Sequence, residues 1–330
     1  MKYLLLLSVL FLSAYGVKKS SSHYISFEQS KSLLSVSHKV PPIMLYPRNI
    51  YVCDDNLVVF NEGLDTLFQV FNLNDFSYKY SFGIKGHGPN DFIMPSVQAA
   101  KVSNTNISIL DMKTIKNISF KDDKHIIRTE SLDAPFEFLN GFVKLYDSLF
   151  CCDAGLEEEK EFMFINHDGS FEQWGEYPEN TDRLGSTLAR NQAYAKISVS
   201  KPDGSRFAAF YNSQRHFRIY DDSGKLLHDV YLDISPFEEL PAKNPEERYI
   251  HTISAYATDK YIYTLNLDMK AEEIASQKCF PNIQVFSWNG KPLKQYSLDR
   301  FISSFTVCEK QNKIYGVFVD DDEHIYSFDM

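Results

Sequence analysis

The sequence predicts an all-β fold, a six-bladed β-propeller, and three observations lead to this prediction. Aromatic residues make up 15% of the 330 residues, with 26 Phe and 20 Tyr, and these side chains favour strands. Short apolar runs recur about every 50 residues, and a second run follows each of them. Three second runs lead into Asp-Gly, Asp-Ser-Gly or Asn-Gly sequences typical of hairpin turns. Such a period indicates repeated four-stranded units rather than the two long sheets of a sandwich.

Each repeat is predicted to be a four-stranded antiparallel meander. The first runs are Leu57–Phe60, Ile107–Leu110, Leu149–Cys152, Phe207–Phe210, Ile262–Leu265 and Ile314–Val317. The second runs are Phe68–Phe71, Ile115–Ile118, Phe162–Ile165, Phe217–Tyr220, Ile283–Phe286 and Ile325–Phe328. An inner strand such as Val97–Val102 precedes each pair, and an outer strand such as Leu227–Leu232 follows it. One meander cannot bury both faces, but six packed radially can.

The sixth repeat lacks an outer strand, because only two residues follow Ile325–Phe328. Tyr24–Phe27 and Leu33–Val36 are strand-like and belong to no repeat. We expect a strand within residues 24–36 to complete the sixth blade and so to close the ring.

The connection between the first two repeats is Gly83–Phe92, with the sequence GIKGHGPNDF. Its glycines allow backbone angles that other residues avoid, and Pro89 stiffens the turn. The segment matches no phosphate-binding loop, since the next element is a strand and not a helix. The residues therefore predict a structural corner, and its polar side chains His87, Asn90 and Asp91 are the candidate binding residues.

Part of this corner resembles a loop of known propellers. Gly86–Phe92 is similar to the Gly-x-Gly-Pro-Gly-Glu-Phe loop of TolB-like six-bladed propellers of exported bacterial proteins, and of the related NHL-like propellers. It departs at Asn90, where the family has Gly, and at Asp91, where it has Glu. Ala255–Tyr263 and Val285–Leu293 are similar to late blades of that group. The resemblance implies the propeller fold, and it implies binding of proteins or peptides more than catalysis.

The N-terminus is predicted to be a signal peptide, residues 1–16, followed by a single propeller domain, residues 17–330. The apolar stretch Tyr3–Ala14 is too short to span a bilayer comfortably, and small residues flank a cleavage point after Gly16. Leu12–Gly16 also resembles a lipoprotein box in which Tyr15 replaces the lipidated Cys, although an ordinary signal peptide explains it equally well. We expect an exported, periplasmic or cell-envelope protein without a lipid anchor or stable membrane insertion.

Charge and cysteine content exclude other classes of protein. The net charge of −10 disfavours nucleic acid as a partner, since phosphate backbones would be repelled. The five cysteines are odd in number and have no metal-binding spacing. Most lie in apolar runs, where Cys acts as a small hydrophobe, so we expect no structural disulfide. The cysteines are Cys53, Cys151, Cys152, Cys279 and Cys308.

The sequence contains no local catalytic signature. The nine histidines show no zinc-like spacing, and there is no nucleophile elbow. Asp320–Glu323 lacks the spacing of a calcium loop, so it is interpreted as a charged hairpin tip. We therefore expect no metal or cofactor, and a non-catalytic binding propeller that engages a protein or peptide at one face or at the channel mouth.

An enzyme is the alternative interpretation. Propeller lyases and lactonases assemble a metal site from single residues on several blades, and such a site leaves no motif. The predicted inner strands, such as Ala195–Ser198 and Phe305–Cys308, are mostly apolar or neutral. This composition favours a binding protein, although fold alone does not determine function.

Overall fold

The computed structural model describes residues 23–41, 44–103, 105–121, 124–132, 141–146, 148–155, 158–178, 184–233, 242–275 and 280–330. Their strands form six sheets. Five sheets contain four consecutive antiparallel strands, and the sixth contains three consecutive strands and one strand from the N-terminus. This confirms the predicted six-bladed propeller. The predicted signal peptide and Cys279 lie outside the described residues.

The strands follow the order of the predicted repeats. The N-terminal strands are β1 (His23–Ile25), β2 (Ser30–Leu33) and β3 (Ser35–Lys39). Blade one contains β4 (Pro47–Cys53), β5 (Asn56–Asn61), β6 (Thr66–Asn72) and β7 (Tyr78–Ile84). Blade two contains β8 (Pro95–Val102), β9 (Asn106–Asp111), β10 (Thr114–Lys121) and β11 (Lys124–Ser131). Blade three contains β12 (Val143–Lys144), β13 (Leu149–Asp153), β14 (Phe162–Asn166) and β15 (Phe171–Trp174).

Short helices interrupt the second half of the chain. Helix α1 (Thr187–Ala193) precedes blade four, which contains β16 (Lys196–Ser200), β17 (Arg206–Tyr211), β18 (His216–Asp221) and β19 (Leu226–Leu232). A 3-10 turn (Pro245–Glu247) precedes blade five, which contains β20 (Tyr249–Ala257), β21 (Tyr261–Lys270), α2 (Ala271–Ala275), β22 (Asn282–Ser287) and β23 (Pro292–Leu298). Blade six contains β24 (Ser304–Cys308), β25 (Lys313–Val317) and β26 (His324–Asp329).

The hydrophobic core lies between neighbouring blades. The apolar runs form the second and third strands, and all six residues of β5 are buried. Between blades one and two, Val58 and Phe68 share a buried cluster with Ile107 and Ile118. Because each sheet buries both faces in this way, the ring is stabilised by apolar contacts around its whole circumference.

The N-terminus closes the ring, as predicted, but through a later segment. Strand β3 pairs antiparallel with β26 and completes blade six. Its bounds are Ser35–Lys39, so it overlaps the predicted candidates only in part. Polar contacts anchor it, since His38 Nε2 lies 2.8 Å from Ser327 Oγ and the His38 ring stacks on Phe76 at 3.6 Å.

The residues before β3 cover the outer edges of two other blades. Strand β1 pairs parallel with β19 of blade four, and β2 pairs parallel with β23 of blade five. Each of these two blades therefore contains the four predicted antiparallel strands and a fifth, parallel strand. We call residues 23–39 the N-terminal strap. Its Phe27 contacts Phe286 with ring centroids 5.5 Å apart, and Leu33 is 2% exposed.

The two faces of the disc differ because strand direction alternates within each blade. One face, here called the loop face, carries the connections from each outer strand to the next inner strand, including residues 85–94, α1 and the 3-10 turn. The opposite face carries tight turns. The hairpin turns predicted at the Asp-Gly, Asp-Ser-Gly and Asn-Gly sequences lie on this face as four-residue loops, 167–170, 222–225 and 288–291. Gly224 in the second loop has a φ of 82°.

The described cysteines are free thiols inside the sheets. Cys53, Cys151, Cys152 and Cys308 are all buried and none is disulfide-bonded. Burial raises the pKa values of the Cys53 and Cys152 thiols above the ordinary value for cysteine. These thiols therefore act as apolar core residues, as expected from their positions in strands.

Candidate functional site

The connection between blades one and two is locked by its own backbone. The Phe92 N–H donates to the Ile84 carbonyl at 2.9 Å, and the Gly86 N–H donates to the Phe92 carbonyl at 3.1 Å. The Phe92 side chain is fully buried and its ring lies 5.2 Å from Phe68. The predicted structural corner is therefore present.

Asp91 holds the turn of this connection together. Its Oδ2 accepts the Gly88 N–H at 2.8 Å. A Cβ at Gly86 or at Gly88 would lie only 2.4 Å or 2.7 Å from that carboxylate oxygen, so neither position accommodates a side chain without movement. Asp91 is thus already engaged within the loop, and its contribution to binding would be indirect.

Blade two fixes the loop from the other side. Lys116 Nζ and Thr129 Oγ1 each donate to the Pro89 carbonyl at 3.0 Å. The buried Asp111 carboxylate accepts the N–H groups of Ile93 and Met94 at 3.1 Å and 2.6 Å. A segment anchored on both blades keeps its shape with little loss of entropy on binding.

The loop projects apolar and polar side chains into solvent. Ile84, Ile93 and Met94 are 58%, 53% and 49% exposed, and His87 and Asn90 are exposed beside them. We call residues 84–94 the ridge. Large apolar side chains grouped in this way on a surface mark interaction sites more often than single exposed ones do.

Three shallow grooves surround the ridge. The first, of about 540 Å³, is lined by His87, Asp91 and residues 111–116. The second, of about 480 Å³, lies toward Arg48 and the start of β8. The third, of about 550 Å³, separates Asn90 and Ile84 from β11. The three residues predicted from the sequence thus all line a groove at the ridge.

A buried ionic cluster lies between blades three and four on the same face. Lys196 Nζ is 3.6 Å from Asp153 Oδ1 and 3.6 Å from Glu161 Oε1, although its side chain is only 2% exposed. Burial lowers the pKa of Lys196, but the two carboxylates outweigh burial and raise it above its ordinary value. The Tyr211 hydroxyl donates to Glu161 at 2.6 Å. The sequence analysis missed this cluster, because its members are far apart in the chain and join only in the fold.

A second polar cluster continues it between blades four and five. Asp268 of blade five contacts Arg215 Nε of blade four and His251 Nδ1 of its own blade, at 3.0 Å and 2.7 Å. His216 Nε2 lies 2.5 Å from Asp229 within blade four, and the Arg218 that contacts Asp229 also reaches Glu161 of blade three. Burial lowers the pKa of His216 to about 4, and Asp229 offsets only part of that effect. The enclosed cavity here has a volume of about 10 Å³, room for one water molecule. These clusters join blades and leave little space for a substrate.

A small pocket lies between the inner strands of blades two to five, and no charged side chain lines it. This pocket, of about 40 Å³, is lined by residues including Gln98, Ser198, Ser200 and Tyr256. Within the described ranges, no three His, Cys, Asp or Glu residues are grouped so that they could hold a metal ion. Nor is any helix of those ranges long and apolar enough to cross a membrane.

Fold and surface together define a six-bladed propeller with a rigid ridge on its loop face. The chain matches the family described as TolB-like 6-blade propeller-like over residues 26–310. It therefore belongs to that TolB-like family, as the GHGPNDF loop predicts. No curated protein matches the sequence.

Two solved structures are similar in fold. A member of the DUF4221 family from Bacteroides vulgatus ATCC 8482 is 12% identical with a TM-score of 0.59, covering 89% of this chain and 95% of its own. A protein from Bacteroides fragilis NCTC 9343, described as exported, is 12% identical with a TM-score of 0.54, covering 93% and 98%. At this identity the likeness extends to the fold alone.

Proposed function

We propose that this chain is an exported binding propeller that engages a protein or peptide at the ridge, on the loop face of blades one and two. The observation that carries the proposal is the rigid display of Ile84, Ile93 and Met94 between three grooves. Because the backbone that carries these apolar side chains is already anchored, binding a partner requires less ordering of the loop.

The polar residues of the ridge orient the partner more than they increase its affinity. His87 and Asn90 are exposed at its top and offer donors and acceptors to a partner backbone. Asp91 keeps the turn closed. A central apolar contact surrounded by a few polar anchors is the usual arrangement of a binding surface.

We place the protein in the periplasm or cell envelope, without a lipid anchor. The signal-like residues 1–16, with Tyr15 where a lipoprotein has Cys, support this location. Mass spectrometry of the mature protein should find Val17 as the first residue. Retention of Met1 would contradict export by cleavage.

Charged substitutions on the ridge test the binding role. We expect Ile93→Asp with Met94→Asp to reduce capture of partner from an envelope extract of the host at least about tenfold, because carboxylates would be buried without counter-charges. The matched control is Leu293→Asp on blade five, which is 44% exposed and should bind as the unaltered chain does. Melting curves establish that both variants are folded.

Two results would reject the proposal. Unchanged capture by the ridge variant would place the binding surface elsewhere. Stoichiometric metal in the purified protein, lost to a chelator together with melting temperature, would favour the lyase or lactonase alternative.

A further inference from the structure

We infer that the partner binds as an added β-strand along β11, the outer strand of blade two, and that this strand carries acidic side chains. The inference rests on the proposed function, since the groove between β11 and the ridge belongs to the proposed binding surface. It specifies the conformation and the charge of the partner segment.

The molecule already uses this mode of pairing on two other blades. His23–Ile25 pairs parallel with Val230–Leu232 on blade four, and Ser30–Leu33 pairs parallel with Gln295–Leu298 on blade five. Three or four residues suffice at each edge, because apolar side chains enter the space between blades while the backbone extends the sheet. Outer edges of this propeller therefore accept short added strands, the mode known as β-augmentation.

The corresponding edge of blade two has no such cover. Strand β11 pairs with β10 over eight consecutive residues without a bulge, and it has no second strand partner among the described residues. The outer strand of blade three has only four residues. A long, regular edge of this kind is open to another strand.

The two sides of β11 differ in chemistry. On one side, the His125 ring stacks on Phe82 at 4.3 Å and Ile127 packs against the core between blades one and two. Both line the groove of about 550 Å³ that Ile84 and Asn90 close from the ridge. An added strand would therefore place alternate apolar side chains toward this groove.

The other side carries more basic than acidic side chains. Lys124 and Arg128 are exposed there with Ile126 between them, and neither forms an ion pair with a described residue. Glu130 follows on the same side, half-buried, and accepts a hydrogen bond from Asn117 Nδ2 at 2.9 Å. The chain as a whole has a net charge of −10, so cations at this edge contrast with the rest of the protein. They would attract Glu or Asp on the partner strand and repel a second copy of the same edge.

A synthetic peptide tests this inference directly. The probe is a fluorescein-labelled nine-residue peptide that alternates Glu and Val, titrated with the full chain and followed by fluorescence anisotropy. We expect binding that weakens with salt, and affinity at least about tenfold lower for the Lys–Val peptide. Two further Glu–Val peptides carry N-methyl groups, one on the amides of the Glu residues and the other on the amides of the Val residues. One of the two should fail to bind, because its methyl groups replace the N–H groups that would pair with the edge of β11.

Charge reversal on the protein is the second arm. Lys124→Glu with Arg128→Glu should weaken the Glu–Val peptide about tenfold. The matched control reverses exposed cations at the covered blades, Lys225→Glu with Lys294→Glu, and should not change its affinity. Equal binding of the Glu–Val and Lys–Val peptides, or no effect of reversal at β11, would overturn the inference.

The outcomes separate this inference from the proposed function. If capture of the envelope partner depends on Ile93 and Met94 but not on Lys124 and Arg128, strand addition is wrong and the ridge remains the binding site. If capture depends on neither pair, the proposed function is wrong as well.

Discussion

Blades four and five differ from blades one and two in how their edges and loops are used. The outer edges of blades four and five are covered by β1 and β2, and buried ion pairs join blade four to both of its neighbours. Blades one and two have no added strand among the described residues and project an apolar ridge instead.

Together with the binding role that we propose for the ridge, this contrast indicates that one chain divides stability and recognition between parts of a single ring. The strap inserts Ile25 and Phe27 into the core between blades four and five and Leu33 into the core between blades five and six. The same kinds of side chain, on the ridge, remain in solvent. Polar groups show the opposite distribution, since Lys196 and Glu161 are buried while His87 and Asn90 are exposed.

Removing the strap is expected to have the largest effect. Deleting residues 23–39 takes away β3, which closes the ring, together with the half-buried Phe27 and the buried Leu33. We expect the melting temperature, followed by circular dichroism, to fall by at least about 10 °C. Deleting only residues 23–33 keeps β3 and should cause a smaller fall. A full deletion with an unchanged melting curve would show that the strap does not close the ring.

Breaking the ionic cluster should cause the second largest loss of stability. Glu161→Ala leaves Lys196 buried beside a single carboxylate, and we expect a loss of about 3–5 kcal/mol in the free energy of unfolding measured with urea. The control is Glu62→Ala on blade one, where Glu62 pairs with Arg48 in solvent and about 0–1 kcal/mol should be lost. Equal losses would remove the distinction between the two regions.

Releasing the ridge from blade two should destabilise the protein less than breaking the ionic cluster does, but it should weaken partner binding more. Asp111→Ala leaves the N–H groups of Ile93 and Met94 without their acceptor, and we expect a loss of about 1–3 kcal/mol. Partner capture should fall as well, although Asp111 is buried and would not contact the partner. Full capture by this variant would indicate that the rigidity of the ridge is unimportant.

Acid should destabilise the joined blades through His216. Its pKa is about 4 in the folded protein and about 6.5 when unfolded, so the unfolded chain binds the proton more readily between these values. The free energy of unfolding should therefore fall by about 2 kcal/mol as pH drops from 7 to 5. His216→Gln should show a smaller fall in urea denaturation, and an identical pH profile would contradict this assignment.

Much of this architecture could be predicted from the sequence, but the interactions between repeats could not. The apolar runs and the Gly83–Phe92 corner are local sequence patterns, and each of them is compatible with one local structure. Strands β1 and β2 are only three and four residues long, too short for a pattern to assign them to a blade. Glu161 and Lys196 stand 35 positions apart, and no local spacing predicts that they meet.

The central claim is that partners bind at the ridge and not at the covered blades. Its most direct test places a photoreactive amino acid in turn at Ile93 and at Leu293, which are 53% and 44% exposed, in chains expressed in the host. After illumination, we expect one discrete crosslinked partner band from position 93 and none from position 293. The same band from both positions, or a band from position 293 alone, would contradict the account.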